Sequence, residues 1–146
     1  MNIRPLDIAD YEAIYSLWSS LQGIGLSQID DSREGISRFL TRNPRTNFVA
    51  FRDGRIVGTI LCDHDGRRAH IYHAAVGSEW RGKGIGRALV ERALASLRDE
   101  GVSKVSLVVF KTNEVGNEFW EALDFRREWT WIIGIECFSK GNRVLA

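Results

Sequence analysis

HIYHAAVGSEWRGKGIGRALVERALASL, residues 70–97, is the stretch whose reading decides the fold. An apolar, β-branched and aromatic run from His70 to Val76 has the composition of a strand. A short polar segment follows, then the Gly-punctuated turn Arg81-Gly82-Lys83-Gly84-Ile85-Gly86, and after it an amphipathic helix. Glycines alternating with Arg81, Lys83 and Ile85 let the backbone fold tightly, with several N–H groups directed to one side at the positive end of the helix dipole. An anion belongs at such a place. A dinucleotide fingerprint is excluded because its third glycine would stand one place later and the next strand lacks the acidic residue that holds a ribose. A nucleoside-triphosphate loop is excluded as well, because Gly86 is followed by Arg87-Ala88 and not by Lys and Ser/Thr.

At 146 residues the chain has the size of one domain, so residues 1–146 are expected to fold as a single unit around one core. Twenty basic against 19 acidic residues leave a net charge of +1, which does not favour a nucleic-acid partner. Cys62 and Cys137 sit in apolar runs without the spacing of a zinc site, so buried free thiols and no metal are expected. The opening residues 1–7 carry no apolar signal core and no segment approaches a membrane span. The expectation is a soluble cytoplasmic protein.

Around the central stretch, Asn2-Ile3-Arg4 reads as a short strand and Asp7 as the cap of a helix whose apolar face is Ile8, Tyr11, Ile14, Tyr15, Trp18 and Leu21. A glycine-containing loop, residues 22–29, leads to a second helix that begins at Asp31-Ser32 and presents Ile36, Phe39 and Leu40. Asn47 to Arg52 and Arg55 to Cys62 form a hairpin through Asp53-Gly54, and a turn at His64 to Arg67 leads to the central strand. The helix from Gly84 to about Glu100 is closed by Gly101, and Lys104 to Phe110 reads as a strand in a parallel crossover. Asn113 opens a helix from Glu114 to Leu123, and Trp129 to Phe138 reads as a closing strand bent at Gly134.

Two motifs in this order carry a resemblance. Arg81-x-x-Gly84-x-Gly86 resembles the acetyl-CoA loop of the GNAT superfamily of N-acetyltransferases. Asn113-x-x-Gly116-x-x-Phe119-Trp120-x-x-x-Asp124-Phe125 resembles that family's later Asn-x-x-Ala-x-x-Phe-Tyr-x-x-x-Gly-Phe motif. The order of elements is similar over nearly the whole chain. The resemblance implies an α/β GNAT fold, with a mixed central sheet of antiparallel N-terminal strands, a parallel crossover pair at the acetyl-CoA loop, and about four flanking helices. It also implies transfer of an acetyl group from acetyl-CoA to a primary amine of a small molecule or peptide, without a metal. The alternative is a module that binds an acyl-CoA as a sensor or structural ligand and transfers nothing.

Acetyl transfer needs a polarised thioester carbonyl, a deprotonated amine and a stabilised leaving thiolate. The resemblance places the pantetheine arm along the exposed edge of the central strand, with backbone at Ala75 and Val76 facing the carbonyl. It places the pyrophosphate on Gly82, Gly84, Ile85 and Gly86, with charge from Arg81 and Lys83 and a further coenzyme contact at Asn113. For the base, His64, His70 and His73 are the candidates. Strand alternation puts His70 on one face with Tyr72 and Ala74 and His73 on the other, and by resemblance His70 occupies the place where related branches carry their base. It would act directly or through a water. Where the family's usual acid is Tyr, this chain has Trp120, whose indole donates a hydrogen bond but releases no proton. Three explanations stand: Trp120 stabilises the thiolate by hydrogen bonding, Tyr72 takes the role, or solvent protonates the thiolate. Acidic Asp30, Asp31 and Glu34 could draw a cationic amine or serve as helix caps. The closing strand, if left at an edge, would pair two copies, so monomer and homodimer are both open.

Overall fold

A computed structural model describes residues 1–125. Backbone contacts gather the chain into two compact units, Met1–Leu107 and Val108 onward. In the first, Asp53 and Gly54 both take positive φ, 49° and 76°. A two-residue hairpin turn matching the right-handed strand twist needs that pair of values. It joins β2 (Phe48–Arg52) to β3 (Arg55–His64). β1 (Asn2–Pro5) pairs antiparallel with β2, β4 (Arg68–Val76) antiparallel with β3, and β5 (Lys104–Leu107) parallel with β4. The order β1-β2-β3-β4-β5 is the mixed sheet expected.

Four α-helices accompany the strands among the described residues: α1 (Tyr11–Ser19), α2 (Arg33–Arg42), α3 (Ile85–Asp99) and, in the second unit, α4 (Glu114–Ala122). Asp7 accepts from the Ala9 amide while Asp10 reaches back to the Asp7 amide, so a capping box starts the short 3₁₀ turn that leads into α1. Ser32 caps α2 through the Gly35 amide. Tyr11, Ile14 and Trp18 from α1 and Ile36 from α2 are buried in one cluster with Val49, Leu61 and Ala75 from the sheet. α3 packs on the other face through Ile85, Leu89, Ala93 and Leu97, each almost sealed from solvent. Gly58 makes that approach possible, because a Cβ there would stand 2.9 Å from Leu89 Cδ1 and 3.1 Å from the Ala75 carbonyl.

Two expectations need correction. Alternation puts His73 on the face opposite His70 and Tyr72, but the β3–β4 register shifts between Thr59 and Leu61, so that His73 and Ala74 together oppose Ile60. His73 takes φ 43°, and this bulge breaks the alternation. His73 therefore turns toward α1, its ring 4.6 Å from that of Trp18, and Ala75 takes the place assigned to Ala74 beside Tyr72. The second concerns the strand from Lys104, expected to reach Phe110. It ends at Leu107, because Phe110 already belongs to the turn into α4, its carbonyl accepting from the Asn113 amide.

In the second unit Asn113 caps α4, its Oδ1 accepting from the Gly116 amide at 2.9 Å. Trp120 is buried edge-on against Phe119 and Phe125. Cys62 is buried and unpaired, and burial pushes its thiol up to about 12. No helix among the described residues is long and apolar enough to cross a membrane. Cys137 and the expected closing strand lie outside the described residues.

Candidate active site

β4 outruns its parallel partner. The β4–β5 ladder spans Arg68–Ile71 on β4 and Lys104–Leu107 on β5, while β4 continues to Val76. Beyond Ile71 the outer edge of β4 has no strand partner among the described residues of this unit. Which backbone groups face that edge follows from the antiparallel ladder with β3. The Gly77 amide donates to the Val57 carbonyl at 2.9 Å, and in such a ladder successive residues alternate between bonding inward and turning outward. Val76, paired with Gly58, therefore directs its N–H and carbonyl away from β3, to the open edge. Arg81 Nε donates to the Val76 carbonyl at 3.4 Å, leaving the Val76 N–H as the group presented.

The chain then turns through a short 3₁₀ segment (Ser78–Trp80) into the Gly-rich loop. Gly82 and Gly84 hold φ of 72° and 79°, and a Cβ on either would meet nothing within 4 Å, so the space above both is open. Gly84 is the N-cap of α3 without a side-chain cap, and the first helical bond runs from the Ala88 amide to the Gly84 carbonyl. The amides of Ile85, Gly86 and Arg87 thus emerge from the helix end with no acidic residue in the first turn. Ile85 itself is buried, anchoring the helix start against Gly58. Lys83 Nζ lies 4.8 Å and Arg52 Cζ 5.4 Å from the centre of the Trp80 ring, so positive charge gathers beside the loop. A diphosphate fits this donor set: outward amides, a helix dipole, cations, and glycines whose missing side chains leave room.

Upstream on β4, His70 and Tyr72 do share a face, with ring centroids 4.5 Å apart. His70 Nδ1 lies 3.4 Å from Ser106 Oγ on β5, and Phe39 of α2 meets the Tyr72 ring edge-on at 5.9 Å. Asp63, which sequence reasoning missed, stands directly opposite His70 on β3. Burial pushes its carboxyl above the usual carboxylate range, while the His70 backbone amide and the Tyr72 hydroxyl pull the other way. Strand alternation along Asp63, Leu61 and Thr59, aligned against His70, is the signal that could have found it.

His73 is structural. Its Nε2 lies 2.6 Å from Asp31 Oδ1, its carbonyl accepts from Thr59 Oγ1 at 2.8 Å, and that hydroxyl accepts in turn from Trp18 Nε1 at 2.9 Å. Asp31, considered as an amine attractant, is instead buried, with its second oxygen accepting from the Ser27 amide. His64 sits at the turn, its Nδ1 accepting from the Gly66 amide. The coenzyme-loop residues thus lie together at the end of β4 and the start of α3, and His70 with Tyr72 lies on the strand before them; Asn113 and Trp120 belong to the second unit.

Similarity to known proteins agrees with this geometry. An acetyltransferase of Pectobacterium atrosepticum is 30% identical over 145 residues, 99% of this chain and 96% of that protein. Among solved structures, Ard1 from Thermoplasma volcanium superposes with a TM-score of 0.76 at 24% identity, over 87% of this chain and 83% of that one. The PaiA N-acetyltransferase from Thermoplasma acidophilum, in complex with coenzyme A, gives a TM-score of 0.74 at 21% identity, over 87% and 90%. A family profile described as the acetyltransferase (GNAT) family matches residues 11–125, which include the strand, the glycine loop, α3 and α4. Extending from α1 to the end of the described residues, that match shows that this chain belongs to the GNAT acetyltransferase family.

Proposed function

We propose that the protein transfers an acetyl group from acetyl-CoA to a primary amine. The carrying observation is the outward Val76 N–H, beyond the end of the described β4–β5 ladder and immediately before the open, amide-lined start of α3. A pantetheine arm adds to such an edge as an extra strand, and a diphosphate seats at the helix end. Gly82, Gly84, Ile85 and Gly86 form the cradle, and Arg81 and Lys83 supply charge. The family match runs across both compact units, which supports reading the chain as one acetyltransferase domain.

The chemistry follows from these placements. His70 takes a proton from the acceptor ammonium through intervening water, since most of β4 separates it from Val76, and the freed nitrogen lone pair attacks the thioester carbon. Negative charge grows on the carbonyl oxygen, where the Val76 N–H, beside Ala75, receives it. As the C–S bond breaks, the electron pair leaves on sulfur. A thiol pKa of about 8.5 lets water return the proton at modest cost. Trp120, packed between Phe119 and Phe125, has no ionisable proton to give. The balance is one ammonium and one thioester giving one acetamide, one free thiol and one proton.

The test is incubation with acetyl-CoA and a panel of amines, polyamines and short peptides, measuring free thiol and acetylated product. Thiol release matched by product supports transfer. Saturable acetyl-CoA binding without release to any acceptor would replace this reading with the acyl-CoA-binding module.

A further inference from the structure

The turn after β4 carries an aromatic ring with two cations drawn to it. Gly77 lacks the side chain that would crowd this ring, since a Cβ there would stand 3.2 Å from Trp80 Cδ1, and the Trp80 amide donates to the Gly77 carbonyl at 2.8 Å. The indole Nε1 donates to Glu79 Oε1 at 3.0 Å, and that carboxylate lies 3.7 Å from the guanidinium of Arg55 at the start of β3. Trp80 is thus fixed through its backbone and through its ring edge. Lys83 Nζ, from inside the glycine loop, lies 4.8 Å from the ring centre, and Arg52 Cζ, from the last residue of β2, lies 5.4 Å from it.

Neither of these cations has a carboxylate within ion-pair distance among the described residues. Glu79, beside Trp80 in the turn, is taken by Arg55 and the indole N–H. Two like charges drawn to one ring repel each other, whereas an anion beside them is attracted by both. Lys83 stands between Gly82 and Gly84, and over both glycines the space is open. A phosphate seated there meets an ammonium that the ring keeps at the loop, with a second cation on the same ring. The glycine-loop motif accounts for Lys83 but not for Arg52, which a different strand supplies.

We propose that Trp80 is a positioning residue of the coenzyme site, its ring holding the Arg52 guanidinium of β2 beside the Lys83 ammonium so that both bear on the phosphates of the coenzyme. This rests on the coenzyme placement in the reading above and not on the transfer step. Arg52 adds charge from outside the glycine loop, and Trp80 acts through the two cations without touching the phosphates itself.

Titration calorimetry with coenzyme A at about 50 mM and about 500 mM NaCl tests this, because the higher salt screens exposed charges within a few ångströms. Arg52→Gln should weaken binding about threefold at the lower salt and by a smaller factor at the higher. Trp80→Leu should weaken it about fivefold or more at the lower salt, since both cations lose their ring. Arg52→Gln added to Trp80→Leu should then cost nothing further, the mark of a residue that acts through another. Arg92→Gln, which takes an exposed α3 cation from the Phe48 ring 5.2 Å away, should leave the affinity as it is. Melting without ligand reports whether each variant folds; should Trp80→Leu not fold, Trp80→Met takes its place. Wild-type affinity in Arg52→Gln overturns the proposal. So does an Arg52→Gln loss as large in the Trp80 variant as in the wild type, an equal loss in Arg92→Gln, or failure of the wild type to bind coenzyme A. Thiol release from acetyl-CoA is read separately. Release to an amine, with coenzyme A bound equally by wild type and Arg52→Gln, overturns this inference alone. The expected affinities without release to any acceptor overturn the transferase reading and leave this one standing.

Discussion

His73 Nε2 and Asp31 Oδ1 lie 2.6 Å apart, with their side chains only 5% and 4% exposed. The contact joins the bulge of β4 to the segment that precedes α2, where the Asp31 carbonyl also accepts from the Tyr11 hydroxyl at 2.7 Å. Removing one member of a buried hydrogen-bonded pair costs about 3 kcal/mol or more, most of it desolvation of the group left behind. His73→Ala and Asp31→Asn should each lower the urea midpoint accordingly. The double variant should lose much less than the sum, which a double-mutant cycle reads directly.

Acetyl-CoA should raise the melting temperature. At 100 times its dissociation constant a ligand adds about 2.7 kcal/mol to stability. Gly84→Val forces a β-branched residue into φ 79° and fills the open space over the loop. The variant should melt earlier than wild type, and saturating acetyl-CoA should no longer move it. An undiminished ligand shift in Gly84→Val would remove the loop from the coenzyme site.

Turnover should rise with pH, because only the neutral imidazole of His70 can accept the proton of the acceptor. His70→Gln should lower kcat about 10²-fold or more and flatten that limb, while acetyl-CoA affinity stays the same. Full turnover with an unchanged profile would leave water as the base.

Two carboxyls should tilt stability in opposite directions with pH. The hydrogen bond from Arg4 holds Asp10 below its ordinary value, so its contribution is present above the unfolded pKa and fades as pH falls through the folded one. Burial raises Asp63 against the opposing influence of His70, Tyr72 and His64 and alongside that of Asp65, so its contribution is present at low pH and fades as pH climbs through its raised value. Denaturant melts from pH 3 to 7 (about the carboxylate range) should show Asp10→Asn losing stability relative to wild type toward neutrality, and Asp63→Asn gaining it.

Gly58→Ala should act at a distance. The added methyl meets Leu89 Cδ1, the Ala75 carbonyl and Ile85 Cγ2 within 3.3 Å, so α3 must shift or its side chains must move. Overpacking of this kind costs about 1–3 kcal/mol. Because Ile85 begins α3, acetyl-CoA affinity should fall as well, although residue 58 lies in β3, outside the glycine loop.

The hairpin at Asp53-Gly54, the Ser32 and Asn113 caps and the glycine loop were all legible in the sequence, because each is dictated by residues within a few positions. The bulge was not. Nothing in His73-Ala74-Ala75 announces a break in alternation; the contacts that hold it come from Trp18, Asp31 and Thr59, which are neighbours only after folding. Asp63 escaped notice for a related reason. Its meaning depends on standing opposite His70, and that register is set by the turn between them, where a slip of one residue would send either side chain to the other face.

The bulge also acts as a phase shifter. In an uninterrupted strand, residues 70, 72, 74 and 76 would share both their side-chain face and the direction of their backbone amides. Tyr72 pairs with Leu61 and Val76 with Gly58, so the extra residue puts the two ends of β4 out of step by one. His70 and Tyr72 thereby keep their side chains on the α2 side with their own amides turned in toward β3, while Val76 turns its amide out. Without the offset, the even-numbered positions on the α2 face could not also hand an amide to the outer edge of β4. Deleting His73 or Ala74 would bring the halves into one phase, and Val76 would turn its amide in toward β3.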